Sequence, residues 1–191
     1  MTAVLVPLAE GFEELEAVTV IDLLRRAGIE VVSAGLEAGP IVASRGVRLL
    51  PDTTLDEALQ RDYDMVVLPG GAKGASRLEA DARVSALLTR MAQEGRYTAA
   101  ICAAPRVLAT AGLLRGKRAT AYPGILQGMA LCDVTVRDTG LERDGKVITS
   151  RGPGTAMDFA LCLIELLEGQ QKRDEVEAQL ARTPPQPDPP I

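Results

Sequence analysis

The residue in this chain best placed for chemistry is Cys102. It lies in Tyr97-Thr98-Ala99-Ala100-Ile101-Cys102-Ala103-Ala104-Pro105-Arg106-Val107-Leu108, a stretch that predicts a short buried strand running straight into a helix. Ala99 to Ile101 are apolar without alternation, the pattern of a central parallel strand. Pro105 does not suit a helix interior but suits a first turn. Cys102 is thereby placed at the strand-to-helix turn. There, unpaired N–H groups and the positive end of the helix dipole favour a thiolate. The pattern is that of a nucleophile elbow with Cys in place of Ser. The plain alternative is a small buried hydrophobe.

The chain contains no histidine. Ser-His and Cys-His catalysis are therefore excluded, and so are histidine metal ligands. Any base must be Glu, Asp, Lys, Tyr or water. With no Trp and few other aromatics, stacking platforms for bases are not expected either.

The elements that must position Cys102 can be taken in chain order. Ala3 to Leu8 reads as a first strand. A turn at Glu10-Gly11 leads to a helix from about Glu13 to Ala27, with Val18, Ile21 and Leu24 in its apolar stripe. Glu13, Glu14 and Glu16 crowd its first turn, where the dipole favours negative charge, and Gly28 ends it. Arg25 and Arg26 read as a solvated helix end. Ile29 to Ala34 is a second strand, Pro40 to Leu50 a hairpin or two short strands, and Leu55 to Gln60 a short helix. Asp64 to Leu68 is a buried strand ending in Pro69-Gly70-Gly71. A helix over Ala82 to Glu94 precedes the elbow strand, whose own helix runs to about Ala111. Further strands are expected at Arg118–Ala121, Val134–Arg137 and Lys146–Thr149. Ser150-Arg151-Gly152-Pro153-Gly154-Thr155 reads as a helix cap leading to a helix over Thr155–Glu168, and a polar helix spans about Lys172 to Ala181. One domain over residues 1–182 with a proline-rich tail over 183–191 is the expected organisation.

Strands alternating with helices imply an α/β fold, with a mostly parallel central sheet and helices on both faces. Ligands in such folds bind at the carboxyl ends of the strands. Three pieces fall there: the loop before Glu16, the Gly70-Gly71 turn, and Cys102. Glu16 alone reads equally as an ordinary first-turn acid, and Gly70-Gly71 as a plain turn. Glycines also let backbone N–H groups approach a developing oxyanion.

Composition bounds the rest. The net charge of -5 argues against general nucleic-acid binding. No apolar run approaches the roughly 20 residues of a membrane span. Three scattered cysteines make no disulfide framework, and the N-terminus has no signal-peptide pattern, so a reducing cytoplasm is expected. Cys132 and Cys162 read as structural.

GFEELEAVTVIDLLRRAGIEV, YDMVVLPGG, AAICAAPRVLA and TSRGPGTAMDFAL, in this order, resemble the ThiJ/PfpI superfamily. Within it the chain is most similar to the parkinsonism-associated protein deglycase branch, bacterial YajL-like type. The resemblance covers residues 3 to 180. It implies a flavodoxin-like sandwich, a homodimer and no cofactor or metal. Cys102 matches the family's easily oxidised cysteine, and Glu16 its protonated carboxyl partner. Gly71 and Ala103 match backbone N–H donors beside the sulfur, and Gly70 belongs to the same pocket. Arg45 matches an arginine that reaches the site across the dimer, and Pro153 a residue of the pocket wall. Many relatives place a histidine where this chain has Tyr122, which reads as a donor or as pocket wall. Ala103-Ala104 departs from the glycine-flanked elbow of glutamine amidotransferases. The implied activity is that of a glyoxalase or protein deglycase acting on small dicarbonyls or their adducts on proteins and nucleotides. The alternative is a redox-responsive chaperone or oxidative-stress sensor without significant turnover. The chemistry is self-consistent: a carboxyl raised in pKa by burial can hydrogen-bond a thiolate without bringing a second negative charge.

Overall fold

The computed structural model describes residues 2–182, and the proline-rich tail expected over 183–191 lies outside the described residues. In chain order the elements are β1 (Ala3–Leu8), α1 (Glu14–Arg26), β2 (Glu30–Gly35), β3 (Ile41–Val42), β4 (Arg48–Leu49), β5 (Thr53–Thr54), α2 (Leu55–Ala58) and β6 (Met65–Leu68). They continue with α3 (Ala72–Ala80), α4 (Ala82–Gln93), β7 (Tyr97–Ile101), α5 (Pro105–Thr110), β8 (Lys117–Ala119), β9 (Val134–Val136), β10 (Leu141–Asp144) and β11 (Val147–Ser150). A single 3₁₀ turn, Pro153–Thr155, leads into α6 (Ala156–Glu168), and α7 (Gln170–Gln179) follows.

The main sheet has the strand order β10-β11-β7-β6-β1-β2-β5. Its pairings are parallel except β10–β11, a hairpin closed over Gly145-Lys146. β3 and β4 form a separate antiparallel ribbon, as expected for Pro40 to Leu50. No helix among the described residues is long and apolar enough to cross a membrane.

Strict alternation along the central strands divides the core in two. Val4, Val6 and Leu8 of β1, Met65 and Val67 of β6, and Ala99 and Ile101 of β7 face α1 and α6. Leu5, Val66, Leu68 and Ala100 face the other way, onto α2 to α5. Phe12 and Phe159 fill the first layer, and Leu78, Leu88 and Met91 the second, all without solvent exposure above 1%. Each such side chain contributes roughly 1.5–3 kcal/mol by burial. Cys102, one residue past the end of β7, packs against both layers.

The two-residue β5, helix α3 and strand β10 were not expected, and for the last two the physical reason is plain. The helix α3 presents Gly74, Ala75 and Leu78 to the core, so its apolar stripe is made mostly of small residues. Gly74 is needed there, because a Cβ would lie 2.7 Å from the Phe12 Cα. The strand β10 is polar, Leu-Glu-Arg-Asp, and takes its place by pairing with β11 rather than by burial.

Candidate active site

Cys102 follows Ile101 with φ of 63°, in the left-handed region. A side-chain-bearing residue holds that conformation at a cost on the order of 1–3 kcal/mol, and only where its neighbours enforce it. Here the enforcement is explicit. The Cys102 N–H donates to the Ser150 carbonyl at 2.9 Å, and the Cys102 carbonyl accepts from the Tyr122 N–H at 2.8 Å. Pro105 occupies the first turn of α5, as expected.

Glu16 stands in the first turn of α1 but faces inward, with no solvent exposure. Its Oε2 accepts from the Gly70 N–H at 2.8 Å. Its Oε1 is buried with no protein partner. Burial is the main reason that its carboxyl is pushed up to about 7, opposed by the Gly70 N–H and the Cys102 thiol. Cys102 and Glu16 lie close enough to shift each other's ionisation, yet no hydrogen bond of normal geometry joins them.

The thiol departs from the expectation set by its place at a helix start. Burial, and next the ionised Glu16, push it up to about 12, while the backbone N–H groups of Gly71 and Ala103 pull it down. α5 has six residues and supplies little dipole to overcome burial. A reactive thiolate therefore depends on Glu16 holding the proton, since the Coulombic penalty is then gone. The two groups are coupled, and their titration belongs to the pair rather than to either residue.

The two glycines are steric requirements. A Cβ on Gly70 would lie 2.6 Å from the Cys102 Cβ and 2.7 Å from Glu16 Oε2. Gly71 has φ of 85°, and a Cβ there would lie 2.2 Å from the Gly11 carbonyl oxygen. Gly70→Ala is expected to destabilise the protein by about 1–3 kcal/mol, as overpacking does. It should also slow alkylation of Cys102. A urea melt and an iodoacetamide time course check both effects.

Cys102 opens onto a cleft of about 770 Å³. Gly71, Ala103, Arg45, Tyr122 and Pro153 line it, while Glu16 and Gly70 lie buried behind the sulfur. All the residues expected at the site are thus brought together. Arg45 lines the cleft of its own chain, its N–H held by the Glu14 carboxylate at 2.9 Å. Cys132 and Cys162 do not line the cleft, and burial pushes the Cys162 thiol up.

Sequence reasoning missed several contributors. Glu10, Glu13, Ser44 and Lys73 form part of the cleft rim. Lys73 pairs with Glu10, and Ser44 Oγ donates to Glu13 at 2.7 Å. Their signal was weak, because each sits on a loop or on α3. Ser150, fully buried, was read only as part of a helix cap, yet its carbonyl clamps the elbow and its hydroxyl lies 2.7 Å from Thr155 Oγ1.

The family model described as DJ-1/PfpI family matches residues 2–166. The chain belongs to that family. Protein dj-1beta of Drosophila melanogaster is 46% identical over 173 residues, covering 90% of this chain and 92% of the fly protein. DJ-1 homolog A of Arabidopsis thaliana is 40% identical over 183 residues, 95% of this chain, but the chain spans only 47% of that longer protein. The glutathione-independent glyoxalase DJR-1.2 of Caenorhabditis elegans is 34% identical over 167 residues, 87% of this chain and 89% of its own. Among solved structures, an oxidised Toxoplasma gondii DJ-1 superposes with a TM-score of 0.89 at 40% identity, covering 94% of this chain and 98% of its own. These curated relatives are eukaryotic, and they do not assign the chain to the bacterial YajL-like type within the DJ-1/PfpI family.

Proposed function

We propose that this DJ-1/PfpI protein is a cofactor-independent glyoxalase or deglycase acting through Cys102 on methylglyoxal, glyoxal or their adducts. The observation that carries the reading is the strained, cleft-facing Cys102 with the buried carboxyl of Glu16 behind it. The name of the nematode relative, a glyoxalase that needs no glutathione, agrees with a protein thiol serving as the nucleophile.

In this reading the Cys102 sulfur attacks the aldehyde carbon of methylglyoxal. An S–C bond forms, the carbonyl pair moves to oxygen, and the oxygen takes a proton to give a hemithioacetal. The N–H groups of Gly71 and Ala103 steady the oxyanion in passing. Glu16, having given its own proton to that oxygen, then takes the proton from the former aldehyde carbon and delivers it to the carbon of the neighbouring carbonyl, through an enediol, leaving a lactoyl thioester. Water hydrolyses the thioester to lactate and returns the thiol. The net reaction is methylglyoxal plus water to lactic acid. An adduct on an amine or thiol would release the repaired group as well.

A redox-responsive chaperone is the second reading, because the donors that hold an oxyanion also hold the oxygens of an oxidised sulfur. One experiment separates the two. Lactate formation from methylglyoxal without glutathione is measured beside suppression of client aggregation. Lactate at enzymatic rates supports the first reading, and holdase activity without lactate supports the second. A cytoplasmic setting is part of either reading, as is the absence of stable nucleic-acid or membrane binding.

A homodimer belongs to the same proposal. Leu15 and Val18 on α1, with Val42, Val47 and Leu50 on the adjoining ribbon, expose apolar surface where the Gly11 N–H binds the Val42 carbonyl. Light scattering at micromolar concentration is expected to give about twice the chain mass of 20.2 kDa. A clean monomer would remove any role for Arg45 across subunits.

A further inference from the structure

Tyr122 is held more firmly than an exposed tyrosine needs to be. Its N–H donates to the Cys102 carbonyl at 2.8 Å, and its carbonyl accepts from the Ile125 N–H at 3.1 Å. Pro123 follows and restricts its backbone to extended conformations. Its ring lies over Gly152, where a Cβ would stand 3.4 Å from Tyr122 Cδ2. Half of the residue remains exposed, at 51%, and it lines the cleft that holds Cys102. Pro123, Ile125 and Pro153 continue the same apolar wall. A pre-positioned aromatic face beside a nucleophile offers offset or edge contacts to a flat ring, at little ordering cost. The three-carbon methylglyoxal is too small to use that face.

We propose that Tyr122 is a specificity-determining residue that selects 2-oxoaldehydes carrying a planar aromatic group on the ketone carbon. The aldehyde carbon meets the Cys102 sulfur while the aryl group lies along the Tyr122 ring. The inference rests on Cys102 attacking the carbonyl. The bond made is the S–C bond of the hemithioacetal, and the displaced carbonyl pair is protonated on oxygen. The phenol hydroxyl has no part in it.

The test uses ratios within each variant. The first ratio is kcat/KM for phenylglyoxal over methylglyoxal. The second needs no turnover: the alkylation rate of Cys102 with N-benzyl-2-iodoacetamide over that with iodoacetamide, where an S–C bond replaces C–I and iodide leaves. Tyr122→Ala should lower both ratios about two- to twelve-fold, the range that an aromatic contact spans. Tyr122→Phe should keep both, and Tyr122→Leu, a gentler change, should lower both in the same direction. Unchanged ratios in Tyr122→Ala and Tyr122→Leu would overturn the proposal, as would equal losses in Tyr122→Phe. If the alkylation ratio falls but neither aldehyde is turned over, aryl recognition by Tyr122 stands and the glyoxalase reading falls.

Discussion

Cys102→Ser is expected to fold as the wild type does and to lose methylglyoxal turnover by a factor on the order of 10⁴ or more. The whole chain contains no histidine that could serve a serine as its base. A serine hydroxyl is a weak nucleophile unless an adjacent base takes its proton. A thiol needs less help, because it gives up its proton more readily than a hydroxyl does and its sulfur is the stronger nucleophile. Glu16 cannot act as that base for serine, since its buried carboxyl already holds its own proton up to about pH 7. The two side chains are nearly isosteric, so stability should change by less than about 1.5 kcal/mol. Lactate formation and a urea melt on the same preparation check both halves. Wild-type turnover in Cys102→Ser would move the nucleophile to another residue.

Glu16→Gln is expected to lower turnover by about 10²–10⁴, the usual contribution of a positioned proton carrier. Thiol chemistry should move the opposite way. The ionised Glu16 is the second largest cause raising the Cys102 thiol, and glutamine removes that charge. Alkylation of Cys102 should therefore reach its half-maximal rate at lower pH in the variant, while turnover falls. A purely structural Glu16 would not produce that split. Stability gives an independent sign. The carboxyl is raised from 4.5 to about 7 on folding. Between those values the native chain binds more protons than the unfolded chain, so its stability falls as pH rises. The contribution is fully present below pH 4.5 and lost through pH 7, amounting to about 3 kcal/mol at most. Urea midpoints of wild type and Glu16→Gln should converge or cross over that window, since glutamine carries no titration. Parallel curves would show that Glu16 is an ordinary helix acid.

Much of the frame was legible because it is written in large apolar side chains. Residues such as Val66, Leu68 and Ile101 are buried on both faces of the sheet, and uninterrupted apolar runs mark them out. The elbow was legible because Pro105 can only open a helix. Helix α3 was not, since its contact face is glycine and alanine, and hydrophobic periodicity does not register small residues. Edge strand β10 was not, since its stability comes from backbone pairing. At the site, Cys102 was legible from its place at the elbow, while Glu16 and the glycines gained a role only as motifs in register. The direction in which the thiol is pushed was not legible at all. It depends on how much water is excluded around two side chains 86 positions apart in the chain (102 less 16), and local spacing does not encode that.

The position of Cys102 on the seam between the two core layers ties activity to the mechanical integrity of the whole sandwich. Its partner Glu16 arrives on α1 from one layer, and the Gly71 N–H arrives with α3 from the other. A chain in which one layer loosens keeps every reactive group and loses their alignment. Inactivation on warming should then precede loss of helical signal, because sub-global opening costs less than complete unfolding. Truncations remote from the cleft, at Phe159 in one layer or Leu88 in the other, would blunt the thiol from opposite sides. Such a centre would fall silent when its scaffold loosens, before the protein itself unfolds.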